Sequence, residues 1–365
     1  MHKHELYMNR CLQLARLGAG HVAPNPMVGS VLVYEDRVIG EGYHQEYGKA
    51  HAEVNCINSV RDENRPLIEK SVIYVSLEPC AHFGKTPPCA DLIIQHKIKT
   101  VVVGCRDLFM QVNGKGIEKL ESAGITVIQG VLENDCKDLN KRFFTFHTKK
   151  RPYLILKWAE SKNQKIANAD FSRVLISNAY SNRLVHRWRS EEAGIMVGTN
   201  TTLQDDPALN TRNWTAPNPV RLVVDMNLRL PAALQVFDGS QKTIVFNAIK
   251  NEELQNVTYY KIEKEPSFVQ ALLKACYQLN IQSVLIEGGN KLAESFINEN
   301  VWDEARIIEN KQLIIDNGLR APLLSNHQLV ASETVSSDVI SYYKNTIKNI
   351  KSLKPSANSL SLPYD

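Results

Sequence analysis

Apolar positions in residues 1–148 fall into short runs that switch between strand and helix periods. Met8, Leu12 and Ala15 share one helical face and predict a helix near the start. Val28 to Val33 and Arg37 to Glu41 predict two strands joined by a short polar turn. Ser71 to Leu77, Thr100 to Gly104 and Ile125 to Ile128 predict three more. Between them, helices are expected to open near His51, to run through Asp91, Leu92, Ile93 and Ile94, and to cover Gly116 to Ala123. A last helix is expected over Asn134 to Phe146, with a basic end that suits its dipole. Strands alternating with helices predict a layered α/β architecture.

The pattern restarts at Tyr153-Leu154-Ile155-Leu156, after the charged and proline-bearing Lys149-Lys150-Arg151-Pro152. Further strands are expected at Ile195 to Val197, Arg221 to Val224, Thr243 to Phe246 and Ser283 to Ile286. Helices are expected at Ala179 to Trp188 and Ser267 to Leu279. This divides the chain into domains 1–148 and 149–352, followed by a Ser-, Pro- and Asn-rich tail, 353–365, expected to be disordered. No internal repeat relates the halves.

Composition agrees with two globular domains: 365 residues, 43% hydrophobic and 22% charged. A formal net charge of +4 is too mild to demand nucleic acid or an anionic membrane. No apolar run reaches the roughly 18 residues of a membrane span, and Met1-His2-Lys3-His4-Glu5 leads into a polar helix rather than a signal-peptide core. A cytoplasmic protein is the expectation. Seven cysteines, an odd number thinly spread, fit that compartment. Cys11, Cys56, Cys105, Cys136 and Cys276 read as small buried hydrophobes.

The chemistry concentrates in His51-Ala52-Glu53, Pro79-Cys80 and Cys89. One imidazole and two thiolates make the three-ligand set of a catalytic zinc with an open fourth position. Zinc lowers the pKa of a bound water towards neutrality, and Glu53, a carboxylate that is not a ligand, can shuttle protons to a leaving amine. A fourth ligand would make the site structural, and His82 is the candidate for it. The arrangement matches the H-x-E and P-C portions of the zinc-dependent nucleobase deaminase signature, with the second cysteine nine residues after the first rather than three.

The run Pro79-Cys80-Ala81-His82-Phe83-Gly84-Lys85-Thr86-Pro87-Pro88-Cys89 resembles the bifunctional riboflavin-biosynthesis deaminase–reductases. Pro24-Asn25-Pro26, Gly42-Tyr43-His44, and Asp107 followed by Gly114 and Gly116 are similar to that family's deaminase domain. The resemblance implies a cytidine-deaminase-like three-layer domain followed by a dihydrofolate-reductase-like domain. It implies hydrolytic removal of the 2-amino group from a phosphoribosylated diaminopyrimidinone, and substrate contacts from Asn25, His44, His82, Lys85 and Asp107. Asn25 reads alternatively as part of a Pro-Asn-Pro turn, and Lys85 as a solvated charge.

Residues 195–209, from Ile195-Met196-Val197-Gly198-Thr199 to Asp205-Asp206-Pro207 and Leu209, resemble the family's reductase domain, as do Leu156-Lys157, Arg212 and Glu287-Gly288-Gly289. That resemblance implies hydride transfer from NADPH to the ribosyl group, opening it to ribityl. By the same resemblance Lys157, Arg189, Leu209, Arg212 and Glu287 contact substrate, and Glu160, Thr201, Asp205, Gly288 and Gly289 contact cofactor. Arg187, Arg189, Glu191 and Glu192 read alternatively as a charged helix face, and Gly288-Gly289 as a plain turn. Ser161-Lys162-Asn163-Gln164 lacks the glycine usual in the family at this turn, so an altered turn is expected.

Three other functions fit parts of the pattern: a deaminase with a weakened reductase half, a deaminase of tRNA or other nucleic acid, and a non-enzymatic zinc-stabilised binding module with a degenerate partner domain. Glu53 beside His51 argues against the last. The mild charge, the Cys80–Cys89 loop and the large second domain favour a small-molecule substrate. A homodimer is expected from the resemblance.

Overall fold

The computed structural model describes residues 3–83, 87–108, 113–170, 172–263 and 266–347. The chain divides between Lys149 and Lys150 into two compact units. The proposed tail, 353–365, lies outside the described residues, as does Lys85. No helix among the described residues is long and apolar enough to cross a membrane.

The first unit runs α1 (Lys3–Arg16), β1 (Gly29–Tyr34), β2 (Arg37–Tyr43), α2 (Ala52–Asn58), β3 (Val72–Leu77), α3 (Cys89–Gln95), β4 (Thr100–Cys105), α4 (Lys115–Ser122), β5 (Thr126–Gln129), α5 (Glu133–Leu139) and α6 (Lys141–Lys149). Its sheet has the order β2-β1-β3-β4-β5, with β3, β4 and β5 parallel and β1 antiparallel to both its neighbours. Side chains alternate along each strand, so the sheet is apolar on both faces. Leu32, Ile73, Val75, Val101 and Val103 pack under α2, α3 and α4 through Ile57, Ile93 and Leu120. Val31, Val33, Tyr74 and Val102 pack the other way, against Met8 and Leu12 of α1 and Phe143 and Phe144 of α6. Three layers result. Cys11, Cys56, Cys105 and Cys136 are buried and unpaired, as is Cys276 in the second unit.

The helix expected over 134–146 is two helices, broken at Asn140. Asn140 is buried and clamps a distant backbone: its Oδ1 accepts from Met27 N at 2.8 Å, and its Nδ2 donates to Met27 O at 2.9 Å. The tertiary bonds replace local helical continuity.

The second unit runs β6 (Tyr153–Ser161), β7 (Lys165–Asn168), α7 (Ala179–Ser190), β8 (Gly194–Gly198), α8 (Thr199–Asp205), β9 (Val220–Val224), β10 (Thr243–Asn247), β11 (Glu252–Glu253), β12 (Val257–Lys261), α9 (Phe268–Gln278), β13 (Ser283–Gly288), α10 (Asn290–Asn298), β14 (Glu304–Asn310), β15 (Gly318–Arg320), β16 (His327–Val335) and β17 (Asp338–Asn345). The main sheet has the order β11-β12-β10-β9-β8-β13-β6-β14-β17-β16, parallel from β12 through β14. Leu154, Leu156, Met196 and Ile286 pack with α9 and α10, while Tyr153, Ile155 and Leu285 pack with Val185 and Trp188 of α7.

Arg151 is not a surface charge. Its guanidinium is buried in a bidentate pair with Asp303, at 2.6 and 2.8 Å, and Asp303 also accepts from Leu154 N. The turn after β6 closes without its glycine: Gln164 takes φ +58, its N donates to Ser161 O, and the Ser161 hydroxyl accepts from Lys165 N.

Candidate active sites

In the first unit, three segment ends converge. His51 is the N-cap of α2, Cys80 follows the end of β3, and Cys89 opens α3. His51 Nδ1 faces both sulfurs, 3.6 Å from Cys80 Sγ and 3.4 Å from Cys89 Sγ, and all three atoms lie within 4.8 Å of one another. Donors about 2.0 and 2.3 Å from a tetrahedral zinc stand about 3.5 Å apart, so the set fits the ion. The backbone N–H of Cys89 donates to Cys80 Sγ at 3.3 Å, and hydrogen bonding from Cys89 and His51 holds the Cys80 thiol well down, as a thiolate. His82 is half-buried and does not join this ligand set among the described residues.

Glu53, 3% exposed, lines the adjoining cleft with Asn25, His44, Glu78 and Asp107. Burial, and then the charge of Cys80, push its carboxyl up to about 7. A cation on the three ligands acts in the opposite direction. The cleft holds about 430 Å³, counting space open to solvent, the scale of a small-molecule site. His44 is also buried, and burial keeps its imidazole below the ordinary value. Its Nδ1 lies 3.1 Å from Ala50 O, which can only accept, so Nδ1 carries the proton. Nε2 is then an acceptor, and Asn25 Nδ2 donates to it at 3.3 Å. That turns the Asn25 amide so that Oδ1 is its remaining acceptor, buried and without a partner.

In the second unit, Arg189 in the last turn of α7 forks onto Glu287 at the end of β13, Nε to Oε1 and Nη2 to Oε2, both 2.8 Å. Lys157 Nζ on the neighbouring β6 stands 3.7 Å from Glu287 Oε2. Burial alone would raise the Glu287 carboxyl; Arg189 and Lys157 more than offset it and hold it at about 2. Burial lowers the Lys157 ammonium. Asn210 O accepts from Arg189 Nη1 at 3.0 Å and from His186 Nδ1 at 2.8 Å, while exposed Arg212 donates to Asn210 Oδ1 at 3.1 Å. Leu209, beside Asn210, is buried in the core. The structure thus gathers Lys157, Arg189, Leu209, Arg212 and Glu287.

Thr201 packs on the glycine pair: a Cβ on Gly288 would fall 2.6 Å from Thr201 Cγ2, and one on Gly289 3.4 Å from its Oγ1. Gly289, at φ +86, caps α10, and Gly198 caps α8; the strands leading into them, β13 and β8, are neighbours. Asn290 Oδ1 is buried there without a partner. Two adjacent helix N-termini suit the phosphates of a dinucleotide. Asp205 follows Thr201 by one turn of α8, and Glu160 lies near the end of β6. Glu160 accepts from Trp158 Nε1 at 2.8 Å, and Asp205 is exposed at the end of α8. No hydrogen bond among the described residues joins either to Thr201 or to the glycines.

Comparison with known proteins decides the family. Residues 1–105 match the cytidine and deoxycytidylate deaminase zinc-binding region, and residues 152–339 match the RibD C-terminal domain. The riboflavin biosynthesis protein RibD of Aquifex aeolicus is 37% identical over 302 residues, 81% of this chain and 84% of that protein. The chain belongs to the RibD family. The Thermotoga maritima diaminohydroxyphosphoribosylaminopyrimidine deaminase/5-amino-6-(5-phosphoribosylamino)uracil reductase superposes with a TM-score of 0.86 at 35% identity, covering 94% of this chain and 99% of that one. Acinetobacter baumannii RibD superposes at 0.84 with 28% identity, covering 94% and 98%.

RibD proteins join a zinc-dependent deaminase to an NADPH-dependent reductase in riboflavin biosynthesis, and this enzyme carries both units. The expected fold, a cytidine-deaminase-like three-layer domain plus a dihydrofolate-reductase-like domain, is borne out. Two groups in these RibD sites escaped the sequence reading. His186 lies three residues before Arg189, a spacing that puts both on one face of a helix. Glu78, between the end of β3 and Pro79, carries no sequence signal of its own, because its partners Gly114 and Gly116 lie 36 and 38 residues further along the chain.

Proposed function

We propose that the first unit hydrolyses the 2-amino group of 2,5-diamino-6-(5-phosphoribosylamino)pyrimidin-4-one, and that the second reduces the ribosyl group of the product to ribityl. The observation that carries the reading is the convergence of His51 Nδ1, Cys80 Sγ and Cys89 Sγ beside the buried Glu53 carboxyl. His51, Cys80 and Cys89 hold zinc, which supplies the Lewis acidity that activates water at neutral pH. Glu53, buried beside the three ligands, takes a proton from that water and delivers one to the departing amine. Asn25 Oδ1, oriented through His44, accepts from an N–H on the pyrimidine edge. Asp107 forms part of the same wall, and His82 and Lys85 contact the ribosyl phosphate.

In the second unit, Arg189, Lys157 and Arg212 bind the phosphorylated substrate together with Glu287 and Leu209. Gly288, Gly289 and Thr201 hold NADPH, with Glu160 and Asp205 as further cofactor contacts. NADPH supplies the hydride. Lys157, its ammonium lowered by burial, donates a proton to the ribose ring oxygen as the C1′–O bond breaks and C1′ takes the hydride. Seven unpaired cysteines support a reducing, cytoplasmic compartment, and family resemblance supports a homodimer.

The test uses Glu53→Gln in the full chain. Zinc content stays at one per chain, ammonia release falls by about 10²–10⁴-fold, and NADPH consumption on deaminated substrate persists. Undiminished ammonia release would reject Glu53 as the proton carrier.

A further inference from the structure

Glu78 is 4% exposed and sits between the end of β3 and the zinc-ligand candidate Cys80. Its own N–H continues the sheet, donating to Cys105 O at 3.0 Å. Among the described residues, its carboxylate receives four backbone N–H groups, all between Asp107 and Ile117. Oε2 accepts from Asp107 N at 3.2 Å and Gly114 N at 3.0 Å, and Oε1 accepts from Gly116 N at 3.0 Å and Ile117 N at 3.4 Å. One oxygen therefore ties Asp107 to Gly114, and the other receives the first turn of α4. The approach is close: a Cβ on Gly116 would lie 1.9 Å from Pro79 O.

This is a demand for a carboxylate rather than for any polar side chain. Four donors need four acceptor lone pairs, which an ionised Glu has and a Gln lacks. Glutamine would turn its own NH₂ towards two N–H groups and leave them unsatisfied. The negative charge also suits the N-terminus of α4. The carboxylate is filled by the backbone, so it has no capacity left for substrate.

We propose that Glu78 is a positioning residue of the deaminase: through its four N–H contacts it sets Asp107, across the cleft, in register with the Cys80 turn. The inference rests on reading Asp107 as part of the substrate pocket. An error of about 1 Å in such a wall is enough to cost on the order of 10²-fold in kcat/KM.

The experiment compares Glu78→Gln, Glu78→Asp, Asp107→Ala and the Glu78→Gln/Asp107→Ala pair in the full-length protein, using the phosphoribosylated diaminopyrimidinone as substrate. Zinc content and NADPH consumption on deaminated substrate serve as controls. Glu78→Gln should keep one zinc per chain and its reductase rate, while KM for deamination rises about tenfold or more and kcat falls less. Glu78→Asp, which keeps the charge but withdraws it by one methylene, should recover part of the loss. In the Asp107→Ala background, Glu78→Gln should add no more than about twofold, because the two act through one contact. If Glu78→Gln does not accumulate as folded protein, the same KM and coupling measurements on Glu78→Asp decide the matter. An unchanged KM in Glu78→Gln, or an effect that multiplies in full with that of Asp107→Ala, overturns the inference. An Asp107→Ala variant with unaltered KM overturns the pocket reading itself, and this inference with it.

Discussion

Arg189 and Glu287 meet through two parallel hydrogen bonds of 2.8 Å, with side chains only 12% and 5% exposed. Lys157 approaches the same carboxylate from β6, so one anion stands against two cations in a dry setting. Removing one partner of such a pair leaves a buried charge without compensation. Glu287→Gln should destabilise the second unit by about 3 kcal/mol. Urea unfolding of the full chain, followed by a probe in that unit, checks this. An Arg189→Met/Glu287→Leu double substitution should recover much of the loss in stability while abolishing reductase activity.

Acid should loosen the same unit in two stages. Burial, then Arg189 and Arg212, hold His186 at about 4, below its ordinary 6.5. Between those values the unfolded chain binds a proton that the folded chain refuses, so stability is whole above 6.5 and declines as pH falls towards 4. Glu287, held at about 2 against an ordinary 4.5, adds a second loss as pH drops from 4.5 towards 2. His186→Gln should flatten the fall in melting temperature between pH 6.5 and 4 and leave a constant offset above it. A pH series of thermal melts on both proteins tests this; an unaltered slope would count against His186.

Metal removal should separate the two activities. All three candidate ligands belong to the first unit. Stripping zinc with a chelator should abolish ammonia release, while NADPH consumption on deaminated substrate continues. Cys89→Ser should act the same way, and adding zinc back should restore only the stripped wild type.

Asn140→Ala should injure the deaminase from a distance. It removes both bonds to Met27, two residues from Asn25, at a buried position. A loss of about 1–3 kcal/mol is expected from the unsatisfied Met27 groups, together with a raised KM for deamination and an unchanged reductase. Thermal unfolding and the two assays report each part.

The zinc site was legible because its chemistry is local: two short motifs carry the ligands, and Glu53 follows His51 by two residues. Most strands of the first unit were legible as compact apolar runs, while β2 was marked by the short polar turn that joins it to β1. What escaped depends on partners far along the chain. The break at Asn140 answers to Met27, and the role of Glu78 answers to Gly114, Gly116 and Ile117. The strand β16 left no alternating signal, since eight of its nine residues are exposed, so neither face is marked by burial. The Arg151 charge marked a domain boundary in the sequence, yet its geometry is that of a buried tie to Asp303.

The Asn140–Met27 clamp also bears on how far the first unit can be trimmed. Residues 1–105, the stretch matching the deaminase zinc-binding region, contain every candidate ligand and Glu53, but stop short of α4, α5 and α6. A polypeptide cut there keeps the metal chemistry and loses the scaffold that holds the Pro24-Asn25-Pro26 segment and the Glu78 carboxylate. A deaminase cut to its first unit is therefore expected to need the chain at least through Asn140, and a clone ending at residue 105 is expected to lose turnover.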